Sequence, residues 1–189
     1  MTLTAESARQ ALNGVMDPNI GKGLADSGEI ASIQVDGESV AAEISLDYPA
    51  KDDIEPIRSA AAEALKAAGA ATAFVTVKQG IRSHKVQPLL RVLPNVKNII
   101  AVSSGKGGVG KSTVAANLAL ALSALGARVG VLDADVYGPS QPTMLGAKGV
   151  PQGAENTLYP MESHGLQINS IGFWVDPGEP LIWRGPMIA

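Results

Sequence analysis

Ile99-Ile100-Ala101-Val102-Ser103-Ser104-Gly105-Lys106-Gly107-Gly108-Val109-Gly110-Lys111-Ser112-Thr113 is the stretch on which the reading of the fold turns. Its first four residues are an unbroken apolar run, as expected of a buried parallel strand. From Lys111 to Leu125 the chain is helix-forming and apolar around much of its circumference. Between them, Gly105 to Ser112 fits the pattern G-x-x-x-x-G-K-[ST]. A tight loop around a polyphosphate needs glycines, which reach φ > 0 and let backbone N–H groups approach oxygen atoms closely. The helix that follows offers anions its free N–H groups and the positive end of its dipole. Lys111 supplies a cation for the β- and γ-phosphates, and Ser112 a hydroxyl for Mg²⁺. Thr113 adds a further donor. Gly105, Lys106, Gly107, Gly108, Val109, Gly110, Lys111, Ser112 and Thr113 are thus a candidate nucleotide loop for ATP with Mg²⁺. A glycine-rich turn that binds nothing has the same composition, but the strand before it and the helix after it are the context a phosphate loop requires.

Arg128 to Leu132 is a second short apolar strand, and Asp133-Ala134-Asp135 follows it directly. Strand, loop, helix and strand make one βαβ unit of an α/β domain. Ligand sites in open α/β sheets lie at the carboxyl ends of the strands, so Asp133 and Asp135 both have access to the metal and the γ-phosphate. A carboxylate there holds metal-bound water or orients an attacking water. Aspartate also caps turns, and for either residue that alternative stays open. Beyond Asp135 the chain is rich in glycine and proline. A strand is expected within Leu166 to Val175, and Trp183 to Ala189 reads as the start of another helix.

The first half follows other rules. Thr4 to Val15 reads as a helix with Ala8, Leu12 and Val15 on one face, broken at Asp17-Pro18-Asn19. Ile33 and Val35, then Val40, Ala42, Ile44 and Leu46, keep a period of two on either side of Asp36-Gly37, the signature of a hairpin; its turn extends to Glu38 in one reading. Ile54, Ile57, Ala61, Leu65 and Ala68 mark a second helix, with Gly69 as its stop. Phe74 to Gln79 alternates as a third strand. The expected organisation is a small α+β domain over residues 1–87, a linker over 88–96 bracketed by Pro88 and Pro94, and a second domain over 97–189.

Hydrophobic residues make up 46% of the 189-residue chain, enough for buried cores. A net charge of −3 gives no reason to expect nucleic acid or a membrane as partner. The chain has no cysteine, which excludes disulfides, thiolate zinc sites and cysteine-held clusters within it. His84 and His164 lack ligand spacing. Residues 1–10 have no signal-peptide apolar stretch and no segment has membrane-spanning length, so a cytoplasmic location is expected. Trp174 and Trp183 are expected to be buried, as aromatic residues dominate cores. Arg82, His84 and Lys85 read as a solvated face.

In the form quoted above, residues 105–113 resemble the deviant Walker family: septum-site MinD proteins, ParA partition ATPases, the nitrogenase iron protein and the Mrp/ApbC iron–sulfur carriers. The resemblance implies that Lys106 reaches across a nucleotide-sandwich homodimer to the partner's phosphates and stabilises transition-state charge. Asp133-Ala134-Asp135-Val136-Tyr137-Gly138-Pro139-Ser140 resembles the switch I motif of the Mrp/ApbC branch, which implies Asp133 near Mg²⁺ and Asp135 positioning water, or the two roles exchanged. Met16-Asp17-Pro18-Asn19-Ile20-Gly21 looks like the opening of the small iron–sulfur assembly domain often fused ahead of such ATPases. Asn98 to Ser104 and Ile182 to Met187 are also similar to that branch. By this resemblance the second domain is the N-terminal part of a P-loop ATPase with a mainly parallel sheet. Lys106, Lys111 and Asp135 would be catalytic, and Ser112 and Asp133 would hold the metal. The activity implied is an ATP-hydrolysing carrier that holds an iron–sulfur cluster, of the 4Fe–4S type, between two subunits. It would pass the cluster to apoproteins, with assembly factors as further partners. The family's switch II and paired cysteines do not occur in these residues, so the cluster ligands would lie outside this chain, which corresponds to the N-terminal portion. A positioning ATPase related to MinD or ParA and a non-catalytic nucleotide-binding or interaction fragment are the alternatives. The N-terminal motif and Asp133 to Ser140 favour the carrier.

Overall fold

The computed structural model describes residues 3–84, 93, 95–154 and 157–174. The chain divides into two compact units, residues 1–99 and residues 100–189.

In the first unit, α1 (Ala5–Asn13) begins at Thr4. The Thr4 hydroxyl accepts the Ser7 N–H at 3.1 Å, and the Ser7 hydroxyl accepts the Thr4 N–H at 2.9 Å. This reciprocal cap satisfies two N–H groups that a helix start otherwise leaves free. Strands β1 (Ile30–Asp36) and β2 (Ser39–Leu46) pair antiparallel through the two-residue turn Gly37-Glu38. Gly37 sits at φ 58, a conformation that favours glycine. Helix α2 (Ile54–Ala67) then crosses over, and β3 (Thr72–Gln79) lies parallel to β2, giving the order β1-β2-β3. Val40, Ala42, Ile44 and Leu46 alternate along β2 and are buried in one cluster with Leu12, Ile57, Ala61 and Leu65. The expected helix, hairpin, helix and strand are all present.

A polar knot lies within this apolar core. Asp17 is fully buried and accepts the N–H groups of Asn19 and Ile20, each at 2.7 Å, and the Tyr48 hydroxyl. Glu29 is buried and accepts the Ser27 hydroxyl at 2.7 Å. Burial pushes the Asp17 carboxyl up, but its hydrogen bonds from Tyr48, Ile20 and Asn19 outweigh that and hold it below the usual range. Burial, followed by the Asp17 charge, raises Glu29. Glu29 Oε1 is buried with no hydrogen-bond partner among the described residues, so the charged form of Glu29 is poorly solvated beside the Asp17 carboxylate.

In the second unit, α3 (Lys111–Ala124) is followed by β4 (Gly130–Asp133), the single turn α4 (Gln141–Met144), the short pair β5 (Gly153–Ala154) and β6 (Thr157–Leu158), then β7 (Met161–Ser163) and β8 (Leu166–Ser170). The sheet is small and mixed, in the order β4-β8-β7. β4 and β8 are parallel, whereas β7 and β8 form a hairpin through His164-Gly165, both at positive φ. Ala116 and Ala119 of α3 pack with Leu145, Leu166, Ile168 and Phe173. This brings the start of α3 beside the ends of β4 and β8.

Two expectations are corrected. Ile99 to Val102 is not a strand, and Ile99 and Ile100 are 54% and 61% exposed. An apolar run becomes a strand only where a neighbour accepts its ladder of hydrogen bonds, and no described strand pairs with this one. Trp174 is 48% exposed, because the chain leaves the core at the turn Ile171–Phe173 and Phe173 takes the buried position. Trp183, Arg184, the helix start expected at 183–189 and most of the linker lie outside the described residues. Among the described residues no helix is long and apolar enough to cross a membrane.

Candidate nucleotide site

The loop 105–113 opens α3 as the sequence requires. Gly110 precedes the helix at φ 90, and Gly108 lies at φ 71. A side chain at either position would be strained. Gly105 and Gly107 differ: neither has positive φ, and a Cβ on either would meet nothing within 4 Å. The protein's own backbone therefore gives no reason for glycine there, whereas a group lying against the backbone does. Among the described residues, the N–H groups of Gly107, Gly108 and Gly110 to Thr113 meet no protein acceptor, and the first helical bond of α3 is Val114 N–H to Gly110 at 2.9 Å. A row of free N–H donors at a helix start suits a polyphosphate.

Lys111 and Ser112 form the first turn of α3 and are half-buried; Lys106 and Thr113 are exposed. The Ser104 hydroxyl donates to the Lys106 carbonyl at 2.8 Å and bends the entry to the loop.

The two aspartates are placed differently. Asp133 ends β4, and its carboxylate is heavily engaged. Oδ1 accepts the Asp135 N–H at 3.2 Å, while Oδ2 accepts the N–H groups of Ser140 at 3.0 Å and Gln141 at 3.1 Å and the Ser170 hydroxyl at 3.1 Å. Asp135 is exposed, and its Oδ1 accepts the Gly138 N–H at 3.1 Å. No described group bonds its other oxygen. Gln141, 3% exposed, donates its side-chain amide to the Ser112 carbonyl at 3.1 Å. Ser112 and Asp133 are thus linked through Gln141. Among the described residues no group of three or more histidine, aspartate or glutamate side chains could hold a metal alone. The donors present, a serine hydroxyl and a carboxylate oxygen, suit Mg²⁺, which completes its shell with water and phosphate oxygens.

Sequence reasoning did not single out Gln141 or Ser170. Gln141 precedes Pro142 in a helical turn, but nothing local marks its bond to Ser112.

The family model described as NUBPL iron-transfer P-loop NTPase matches residues 95–189, half of the chain. The chain belongs to this family of P-loop NTPases. A second family model, described as an iron–sulfur cluster assembly protein, matches residues 5–78. Among curated relatives, the iron–sulfur cluster carrier protein of Synechocystis is 42% identical over 192 residues, covering 98% of this chain and 54% of the relative. The protein of that name from Haemophilus influenzae is 41% identical over 197 residues, covering 99% of this chain and 52% of its own length. That of Escherichia coli K12 is 58% identical over 114 residues, covering 57% of this chain and 31% of the relative. The chain spans about half the length of the curated relatives that it matches along its whole length.

Proposed function

We propose that this chain binds ATP with Mg²⁺ at residues 105–113 as part of an ATP-hydrolysing carrier that delivers iron–sulfur clusters to apoproteins. The observation that carries the nucleotide reading is the row of free backbone N–H groups at the start of α3, with Gly105 and Gly107 where the protein itself has no need of them. The delivery reading rests on the relatives, each an iron–sulfur cluster carrier protein, and on the match of residues 5–78 to an assembly protein. That N-terminal match favours the carrier over a positioning ATPase.

In this reading the N–H groups of the loop hold the β- and γ-phosphates, and the Lys111 ammonium neutralises charge on them. The Ser112 hydroxyl would hold Mg²⁺, which would supply positive charge against the phosphates. Asp135, the freer of the two aspartates, orients the attacking water, and Asp133 supports the metal side through the loop that it holds. Water adds in line to the γ-phosphorus as the bond to the bridging oxygen breaks. ADP leaves with that electron pair, and the proton of the water is lost to solvent or phosphate. Lys106, from the second subunit of a homodimer, adds positive charge as the bond breaks. The cluster is cargo, held by thiolates from outside these residues, in the cytoplasm.

The test is a nucleotide titration. Lys111→Ala is expected to lose measurable binding of Mg·ATP, with an unchanged circular dichroism spectrum. Unchanged affinity in that variant would sink the assignment of the loop.

A further inference from the structure

We propose that Gln141 is a positioning residue that couples the phosphate loop to the loop carrying Asp135. This rests on the nucleotide reading above and adds to it the route by which occupancy of one loop is felt by the other.

Gln141 stands where the two segments meet. Its backbone N–H donates to Asp133 Oδ2 at 3.1 Å, and its side-chain Nε2 donates to the Ser112 carbonyl at 3.1 Å. Asp133 in turn gathers the N–H groups of Asp135 and Ser140 and the Ser170 hydroxyl, so both ends of the loop 134–140 are tied to one carboxylate at the end of β4. Gln141 is the described side chain that carries this assembly across to the first turn of α3. The Ser112 carbonyl belongs to the residue whose hydroxyl faces the metal in the reading above. A shift of that turn on nucleotide binding is therefore transmitted to a buried amide rather than lost in solvent.

A second, independent observation marks the joint as unfinished. Gln141 Oε1 and the adjacent Ser140 Oγ are both buried, and neither has a hydrogen-bond partner among the described residues. Buried polar atoms are nearly always paired, and an unpaired one raises the free energy of the arrangement that contains it. Two such atoms on adjacent residues, at the contact between two loops, leave this arrangement short of hydrogen-bond partners. A small rearrangement that supplies one is then favoured, as expected of an element poised between two states. A residue serving only to pack α4 against α3 needs neither the donor nor the unpaired acceptor.

The variant that isolates the amide is Gln141→Met. It keeps the length and volume of the side chain, removes the donor to Ser112, and also removes the unpaired acceptor, so folding is not penalised by a new orphan. The experiment is amide hydrogen exchange over residues 134–140 in the full-length natural protein, with and without Mg²⁺ and a non-hydrolysable ATP analogue, alongside a titration of the same analogue. In the unaltered protein, saturation with the analogue is expected to slow exchange in this loop by about tenfold, within the usual range of coupling between sites. Gln141→Met is expected to keep its thermal midpoint and bind the analogue, yet show no change in loop exchange on binding. A loop in Gln141→Met that responds as in the unaltered protein overturns the proposal. So does a loop in the unaltered protein that ignores an analogue it binds, which needs no variant at all. Joint loss of binding, response and thermal stability in Gln141→Met assigns the residue a merely structural role and also overturns it. Failure of the unaltered protein to bind the analogue overturns the nucleotide reading itself and this inference with it.

Discussion

At Glu29, burial and the adjacent Asp17 carboxylate favour the protonated form, while at Asp17 the Tyr48 hydroxyl and two N–H groups favour the charged one. The two groups therefore oppose each other in their effect on stability with pH. Asp17 is lowered, so its contribution is present above the ordinary aspartate value of 3.8 and is lost as pH falls. Glu29 is raised, so its contribution is complete below the ordinary glutamate value of 4.5 and is lost as pH rises through its higher folded value. Glu29→Gln places a neutral amide donor beside Asp17 and removes the titration. As pH rises above the ordinary glutamate value of 4.5, the urea midpoint of the first unit is expected to fall in the unaltered protein and to fall less in Glu29→Gln. Parallel pH profiles for the two proteins would rule out a raised Glu29. Sequence alone drew attention to Asp17 through the motif around it, but Glu29 and Tyr48 lie 12 and 31 positions away and carry no local mark of their meeting.

At the scale of elements, the glycines of the phosphate loop separate two demands that composition cannot. Gly110 is required by the backbone, since it stands at φ 90 where α3 begins. Gly107 is not, since it has no positive φ and a Cβ there meets nothing within 4 Å. Gly110→Ala is expected to destabilise the second unit by about 1–2 kcal/mol, the cost of a left-handed residue with a side chain, and to weaken nucleotide binding with it. Gly107→Ala is expected to leave stability within about 0.5 kcal/mol and still to weaken Mg·ATP binding, because in the proposed reading a phosphate lies against the backbone there and would meet the added methyl group. Urea denaturation and nucleotide titration of both variants check this, and an unchanged affinity in Gly107→Ala would count against a ligand at that face. Helix α3 itself was legible from its apolar content. Which of its sides is covered was not. Ala116 and Ala119 are buried, while Val114 and Leu118 stay exposed, because only one side has described strands packed against it.

Across the described residues, the two hydrophobic clusters share no residue: one is built from α1, α2 and the sheet β1-β2-β3, the other from α3 and β8 with Leu145 and Phe173. Leu65 is fully buried in the first. Leu65→Ala is expected to cost the first unit about 2–5 kcal/mol, from lost transfer energy and the cavity left behind, with nucleotide affinity at residues 105–113 unaltered. Calorimetry with a parallel titration measures both. A matching loss of affinity would mean that the nucleotide loop depends on the first core.

Features with a cause inside a few residues were readable from the chain: the helix beginning near Thr4, the period of two in β2, the glycine turn at Gly37, and the glycine-rich loop that opens α3. Caps, turns and periodicity act over one or two turns of backbone, so composition and spacing suffice for them. The features that depended on folding join distant positions. Asp17 meets Tyr48 and Glu29, Asp133 gathers Ser140 and Ser170, and Gln141 reaches Ser112. Ile99 to Val102 shows the same limit from the other side: its apolar run is real, but a strand exists only where a second strand completes its hydrogen bonds, and that partner is set by packing rather than by the run itself.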